Sequence, residues 1–192
     1  MEEQHYLEFV SKYGDCGSWA IWREAGLTPK SNMDDMNVFD LDKNPKLLET
    51  LNPNIIMVGL NISKRIDKPL SNFHGAIGGA YKIRYAFKDT PFYGAYMTDI
   101  IKDFEQKISG TVSKYLRANK DFERKNILLF EQELVDLKSN YPLIIAFGND
   151  SFDILNRYFS DKFKIIKVSH YSKYVSKENY RAEIENIMIN QY

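Results

Sequence analysis

Along this chain the apolar residues change rhythm several times, and each rhythm predicts an element. Near the N-terminus Tyr6, Phe9, Val10 and Tyr13 recur at i, i+3, i+4 and i+7, the stripe of a helix buried along one side, over residues 2–13. Gly14 and Gly17 end it, and His5 falls on its polar side with no assigned role. Residues 19–41 mix tryptophans, Thr28-Pro29 and Asp34-Asp35 without a period, which predicts irregular packing over a sheet edge. Asn44-Pro45 then resembles a cap followed by proline at the first helical position, opening a short helix that ends at Leu51. The next rhythm is continuous. Ile55-Ile56-Met57-Val58, entered through the turn-like Asn52-Pro53-Asn54, reads as a short strand buried on both faces.

Three more runs of this kind follow. Residues 94–101, 142–147 and 163–168 read as strands, the last with charges that suit an edge or a half-exposed face. Helices are predicted between them, over residues 80–88, over 121–138 with Ile127, Phe130, Leu134 and Leu137 as a stripe, and after Gly148-Asn149-Asp150-Ser151 with Phe152, Leu155 and Phe159 buried. Ser176 caps a terminal helix bearing Tyr180, Ile184, Ile187 and Met188. The basic residues of 111–125 read as a solvated helix face rather than a phosphate-binding surface. Four strands alternating with helices predict one domain over residues 1–192, an α/β/α sandwich of three layers around a largely parallel four-stranded sheet.

Composition changes this picture little. Lysine plus arginine and aspartate plus glutamate both total 26, so global charge gives no sign of a nucleic-acid partner, although a local patch could supply one. One cysteine, Cys16, allows no internal disulfide and no four-thiolate cluster, and three scattered histidines argue against a zinc site, so no metal or other cofactor is expected. A reducing cytoplasm, a monomeric state and no membrane partner are the expectations, since no run has the length of a span and Met1-Glu2-Glu3 is unlike the basic start of a signal peptide. The abundance of Lys, Asn, Ile and Tyr is what an AT-rich genome, bacterial or phage, produces.

Chemistry is expected beyond the carboxyl ends of the strands, where open α/β sheets bind ligands. Asn61 after the first strand, Thr98-Asp99 in the second and Ser169-His170-Tyr171-Ser172 after the fourth would converge there. The loop of residues 62–79, with Asn72-Phe73-His74-Gly75 and Gly78-Gly79, is long enough to be functional.

The order of these pieces resembles the uracil-DNA glycosylase superfamily over residues 54–172. Gly59-Leu60-Asn61-Ile62-Ser63 looks like the Gly-x-Asn-Pro-Gly first motif of the mismatch-specific and single-strand-selective branches, and residues 95–102 are similar to the Thr-Asn-x-x-Lys strand of the bacterial branches. Residues 143–152 resemble the third strand and its Gly-x-x-x-Phe turn, and His170-Tyr171-Ser172 matches His-Pro-Ser except at its middle residue. The resemblance implies hydrolysis of the bond joining a deaminated or mismatched base to deoxyribose, on damaged or single-stranded DNA, with the nucleotide rotated into a pocket. It implies that Asn61 orients the water and that His170 donates to the base oxygen that gains charge. Gly59, Leu60, Phe73 and Asp99 would hold the base, with stacking on Phe73 worth about 1–3 kcal/mol. Ser63, Ser169, Tyr171, Ser172 and Lys173 would meet phosphate or wedge into the strand.

Each role has a plainer alternative: a turn amide bonding its own backbone for Asn61, a structural loop histidine for His170, a core plug for Phe73. The departures bear on activity. Asp99 stands where the family has asparagine, and an ionised carboxylate offers acceptors only. It could take the N3 hydrogen of uracil but would repel the neighbouring carbonyl, a conflict that an amino-bearing base or a protonated Asp99 removes. Ile62, Ser63 and Tyr171 replace proline, glycine and proline. The competing expectation is a non-catalytic member of the fold that binds nucleic acid, a nucleotide or a protein in the same cleft. A flavodoxin-like or Rossmann-type enzyme is disfavoured by the lack of Gly-x-Gly-x-x-Gly and of a lysine-bearing phosphate loop.

Overall fold

The apolar runs become a sheet with helices on both faces. The structure, a computed structural model, describes residues 1–191, with side chains to Asn190. Strands β1 (Ser18–Trp19), β2 (Asn52–Asn61), β3 (Ala95–Ile101), β4 (Leu143–Phe147) and β5 (Ile165–Val168) lie in the order β1-β3-β2-β4-β5. All neighbours are parallel except β1 and β3. The sheet therefore has five strands, not four. The additional one lies at the start of the stretch expected to be irregular, just after Gly17, and two residues are too few to show an alternation. It pairs Ser18 with Met97 and Trp19 with Tyr96 along the edge of β3. β2 is also longer than the apolar run suggested, so Asn61 is its last residue rather than a residue of the loop.

Alternation along the buried strands sorts the core into two layers. Ile56, Val58, Tyr96, Ile144 and Ala146 face helices α1 (Glu3–Tyr13), α4 (Ser109–Ala118), α5 (Lys120–Asp136) and α6 (Asn149–Phe159). Ile55, Met57, Met97, Ile145 and Phe147 face α3 (Tyr81–Phe87) and α7 (Lys177–Gln191). The short α2 (Leu47–Thr50) leads into β2. Tyr6, Phe9 and Tyr13 are the buried stripe of α1, and the helix stops where the Gly14 N–H still reaches the Val10 carbonyl at 2.8 Å. Ser176 Oγ accepts from Asn179 N at 3.1 Å, the expected cap of α7.

The basic stretch spans two helices divided at Asn119. Its Lys114, Arg117, Lys120, Arg124 and Lys125 are exposed. The irregular segment before α2 is held by Arg84 of α3, whose guanidinium donates to the carbonyls of Arg23, Pro29 and Ser31 at 2.7–2.9 Å. His5 is more than a polar-face residue, for its Nε2 lies 2.7 Å from the Asp136 carbonyl at the end of α5.

One polar network ties α5 to the sheet. Glu133 is completely buried, and its Oε1 accepts from Tyr96 Oη at 2.6 Å and Thr98 Oγ1 at 2.9 Å. Its Oε2 lies 2.6 Å from Lys102 Nζ, which also donates to Thr98 Oγ1 and to the Asp99 carbonyl. Burial alone would lower the pKa of Lys102, but the adjacent Glu133 carboxylate holds it above the usual lysine value. Removing one member leaves the other charge dry and unpaired. Glu133→Ala is expected to cost about 3–5 kcal/mol in urea denaturation, and the double change Lys102→Met with Glu133→Leu less than that single change. A double variant at least as destabilised as Glu133→Ala would contradict the buried-pair account.

Candidate functional site

Parallel pairing brings the carboxyl ends of β2 to β5 to one edge. Gly59 is level with Asp99 and Asn61 with Ile101, so the β2 and β3 candidates lie on adjacent strands. Asp99 has a side chain only 3% exposed, on the α3/α7 face. A methyl group on Gly59 would come within 2.2 Å of Asp99 Oδ1 and 3.5 Å of the Phe73 ring. Position 59 thus has to lack a side chain for the carboxyl to lie where it does. Around it stand three rings: the Phe73 and Phe147 centroids are 6.1 Å apart, Phe73 and Tyr171 6.1 Å, and Phe147 and Tyr171 5.4 Å.

The carboxyl is anchored at one oxygen. Asn72 Nδ2 donates to Asp99 Oδ2 at 2.9 Å and to the Cys16 carbonyl at 2.8 Å, while Asn72 Oδ1 accepts from Phe73 N at 3.1 Å. Three bonds of fixed sense leave this amide one orientation. Among the described residues no donor reaches Asp99 Oδ1. Burial raises the Asp99 pKa to about 6, more than the Asn72 bond and the Lys102 charge lower it, and Glu133 adds to the rise. Tyr171 is raised too, by burial and then by Asp99. Phe73 and Leu70, in the loop that carries Asn72, have φ of +64° and +62°, a conformation uncommon for bulky side chains and often found where a loop is shaped for a task.

His170 stacks on Tyr171 at 4.3 Å between centroids and packs over Gly148, whose φ of +87° makes the turn from β4 into α6. Its tautomer can be read from its neighbours. Ser172 N donates to His170 Nδ1 at 3.2 Å, and a backbone N–H can only donate, so Nδ1 is an acceptor and Ser172 Oγ, 2.7 Å away, donates as well. Burial lowers the His170 pKa, which favours the neutral ring with its hydrogen on Nε2. The loop is pinned to α7 through Ser169, whose N–H donates to Glu183 and whose carbonyl accepts from Tyr180 Oη at 3.0 Å. Lys173 Nζ donates to Ser169 Oγ at 3.3 Å, and Lys82 of α3 donates to the Lys173 carbonyl at 2.7 Å.

The structure thus brings together Gly59, Phe73, Asp99 and Tyr171, with His170 and Ser172 alongside. It does not bring in Leu60, which packs on the opposite face of the sheet, or Ser63, which is exposed in the loop. Asn61 Nδ2 donates to the carbonyls of Ile62, Phe104 and Gln106 at 2.7–3.0 Å, anchoring the loop after β3. Both amide hydrogens are spent on backbone carbonyls. Tyr171 is half-buried in the ring cluster, whereas Tyr174 three residues later is fully exposed, as is Ile77 in the loop after β2. Asn72 and Phe147 were not singled out in the sequence. The only signal for Asn72 was its place beside Phe73 in a long loop.

A cavity of about 690 Å³ opens at the same edge but is lined by Tyr13, Cys16, Ile62, Arg65, Lys102 and Glu105, among others. Gly59, Phe73, Asp99 and His170 do not line it: Phe73 and Asp99 are buried, while His170 and Tyr171 are half-buried. No group of three or more His, Cys, Asp or Glu among the described residues is placed to hold a metal ion. No described helix is long and apolar enough to cross a membrane. Compared with protein-family models, with curated proteins and with solved structures, the chain gives no match.

The raised pKa of Asp99 has a definite consequence for stability. Well below pH 3.8 its carboxyl is neutral in folded and unfolded chains alike. Between 3.8 and about 6 the unfolded chain loses a proton that the folded chain keeps, so stability falls as pH rises, and above about 6 the whole cost, on the order of 2–3 kcal/mol, is present. The charged or titratable groups acting on it are Lys102, Glu133, Cys16 and Tyr171. Asp99→Asn is expected to be more stable than the parent chain by about this amount at pH 7.5 in urea titrations, with the gain vanishing well below pH 3.8. A gain independent of pH, or a loss at pH 7.5, would contradict it.

Proposed function

We propose that the Asp99 cluster is the base-binding pocket of a DNA glycosylase-like protein. One observation carries the reading: a buried carboxyl with one oxygen anchored and one free, set among aromatic rings at the carboxyl edge of a parallel sheet. Rings with a single polar group among them suit a flat heterocycle, which gains by stacking and is identified by its edge. The chemistry then asks for stabilisation of the departing base and for a water. Neutral His170, with Nε2–H to offer, donates to a base oxygen that gains charge as the glycosidic bond lengthens. Asn61 Oδ1, held by an amide locked on three carbonyls, accepts from the attacking water. Fully exposed Tyr174 and Ile77, on the two loops beside the cluster, are the apolar side chains available to fill the gap left in the strand. In this reading Tyr171 forms the pocket wall rather than the wedge.

A second reading, a binding protein without catalysis, is favoured by the same amide: its bonds to the Phe104 and Gln106 carbonyls suffice as a structural anchor for the loop after β3. The two separate in one assay. Incubated with labelled oligonucleotides carrying single altered or mispaired bases, then treated with alkali, the protein is expected to yield strand breaks at the target, and His170→Ala to lower the rate by about 10²–10³. Release undiminished in His170→Ala would remove the histidine from the reaction. Binding of such strands with no release by the parent chain would select the binding protein.

A further inference from the structure

The acceptor character of the Asp99 oxygen specifies the class of base. We infer that the pocket selects a nucleobase presenting an amino group to Asp99, cytosine or a ring-modified cytosine being the pyrimidine that also offers a carbonyl to His170. This inference rests on the base-binding reading of the site.

Three observations carry it. Asn72 is locked: rotating its amide would set an oxygen against both Asp99 Oδ2 and the Cys16 carbonyl and an NH₂ against the Phe73 N–H, so it cannot turn to offer Asp99 an acceptor. The orientation of the carboxyl is therefore settled from behind, and its free atom is Oδ1. Asp99 is also not consumed by an ion pair, because Lys102 reaches the backbone carbonyl of residue 99 and spends its charge on Glu133 across the strand. And Gly59 lets Oδ1 lie against the β2 backbone, where an ionised carboxylate can only accept.

The loop after β5 has the opposite character. Nδ1 of His170 is occupied as an acceptor by Ser172, leaving a donor at Nε2. A donor and an acceptor at one edge match a ring with a carbonyl at one position and an amino group at another. In cytosine O2 accepts from His170 and the N4 amino group donates to Asp99. Uracil and thymine present a carbonyl at position 4, which an ionised carboxylate repels. Hypoxanthine and xanthine likewise replace an amino group by a carbonyl. The deaminated bases implied by the family resemblance are therefore the ones this edge disfavours, and mispaired or modified amino-bearing bases the ones it fits.

Binding to strands that cannot be cleaved tests the inference apart from catalysis. The probes are fluorescein-labelled duplexes in which one 2′-fluoro-cytidine or one 2′-fluoro-uridine faces an abasic analogue, so that extrusion costs little, with a fully paired duplex as reference. At pH 8 the parent chain is expected to bind the cytosine probe about tenfold or more tighter than the uracil probe. Asp99→Asn, which has the same shape and offers both donor and acceptor, is expected to abolish or reverse that preference. Circular dichroism melting verifies that the variant is folded. Equal binding of the two probes by the parent chain, or a preference unchanged in Asp99→Asn, overturns the inference while leaving a base pocket in place. Failure to distinguish either probe from the paired duplex overturns the pocket and the inference together. A cytosine preference that Asp99→Asn reverses, without base release from the corresponding 2′-deoxy strand, supports the inference and rejects only the hydrolytic step.

Discussion

The organisation of this molecule depends on how β3 distributes charge between its two faces. Successive residues of a strand point to opposite sides, so Thr98 meets the α5 layer and Asp99 the α3/α7 layer. On the first side Glu133 is neutralised by Lys102 and bonded by Tyr96 and Thr98, and that side is electrostatically closed. On the second side Asp99 has one amide partner and no ion-pair partner, Lys102 acting on it only at a distance. A largely buried carboxyl with a single side-chain hydrogen bond is costly to ionise, and its raised pKa is the physical expression of that cost.

From this constraint the surrounding structure follows. Gly59 has to lack a side chain because Asp99 Oδ1 occupies the space beside it. Asn72 has to hold its orientation, and by donating also to the Cys16 carbonyl it fastens the loop after β2 to the segment that leads from α1 into β1. Phe73 then lies against Gly59 in a left-handed conformation, and Tyr171 reaches it from the loop after β5. Four segments distant in sequence are tied at one edge through a few bonds and ring contacts. Phe73 and Tyr171 both lie in loops outside regular structure.

Much of the fold could be read from the sequence because apolar runs buried on both faces leave an unmistakable pattern, and residues 55–58 and 143–147 are such runs. β1 could not, since a two-residue strand has no period and depends on the edge of β3. The expected convergence of Asn61, Asp99 and His170 rested on alternating strands and helices; Gly59, level with Asp99, and Tyr171, beside Phe73, are the neighbours the structure shows. The use of Asn61 was not, because its three acceptors lie one to 45 positions downstream and are backbone carbonyls, which carry no residue signature. The plainer alternative for that residue, an amide bonding backbone, is what its hydrogens do. Glu133 with Lys102 was equally hidden, separated by 31 residues and by two helices' worth of chain. Tyr171 and Tyr174 are chemically alike, and only packing decides that one joins the Phe73 and Phe147 rings and the other is fully exposed.

The account is tested most directly by titrating the Asp99 carboxyl itself, through its ¹³C resonance in protein labelled at aspartate and assigned by the Asp99→Asn variant. A midpoint of about 6 is the result expected of a carboxyl buried among Gly59, Phe73 and Tyr171 with a single amide partner. A midpoint at or below the ordinary aspartate value of 3.8 would mean that the group is solvated or fully paired, which would contradict the account.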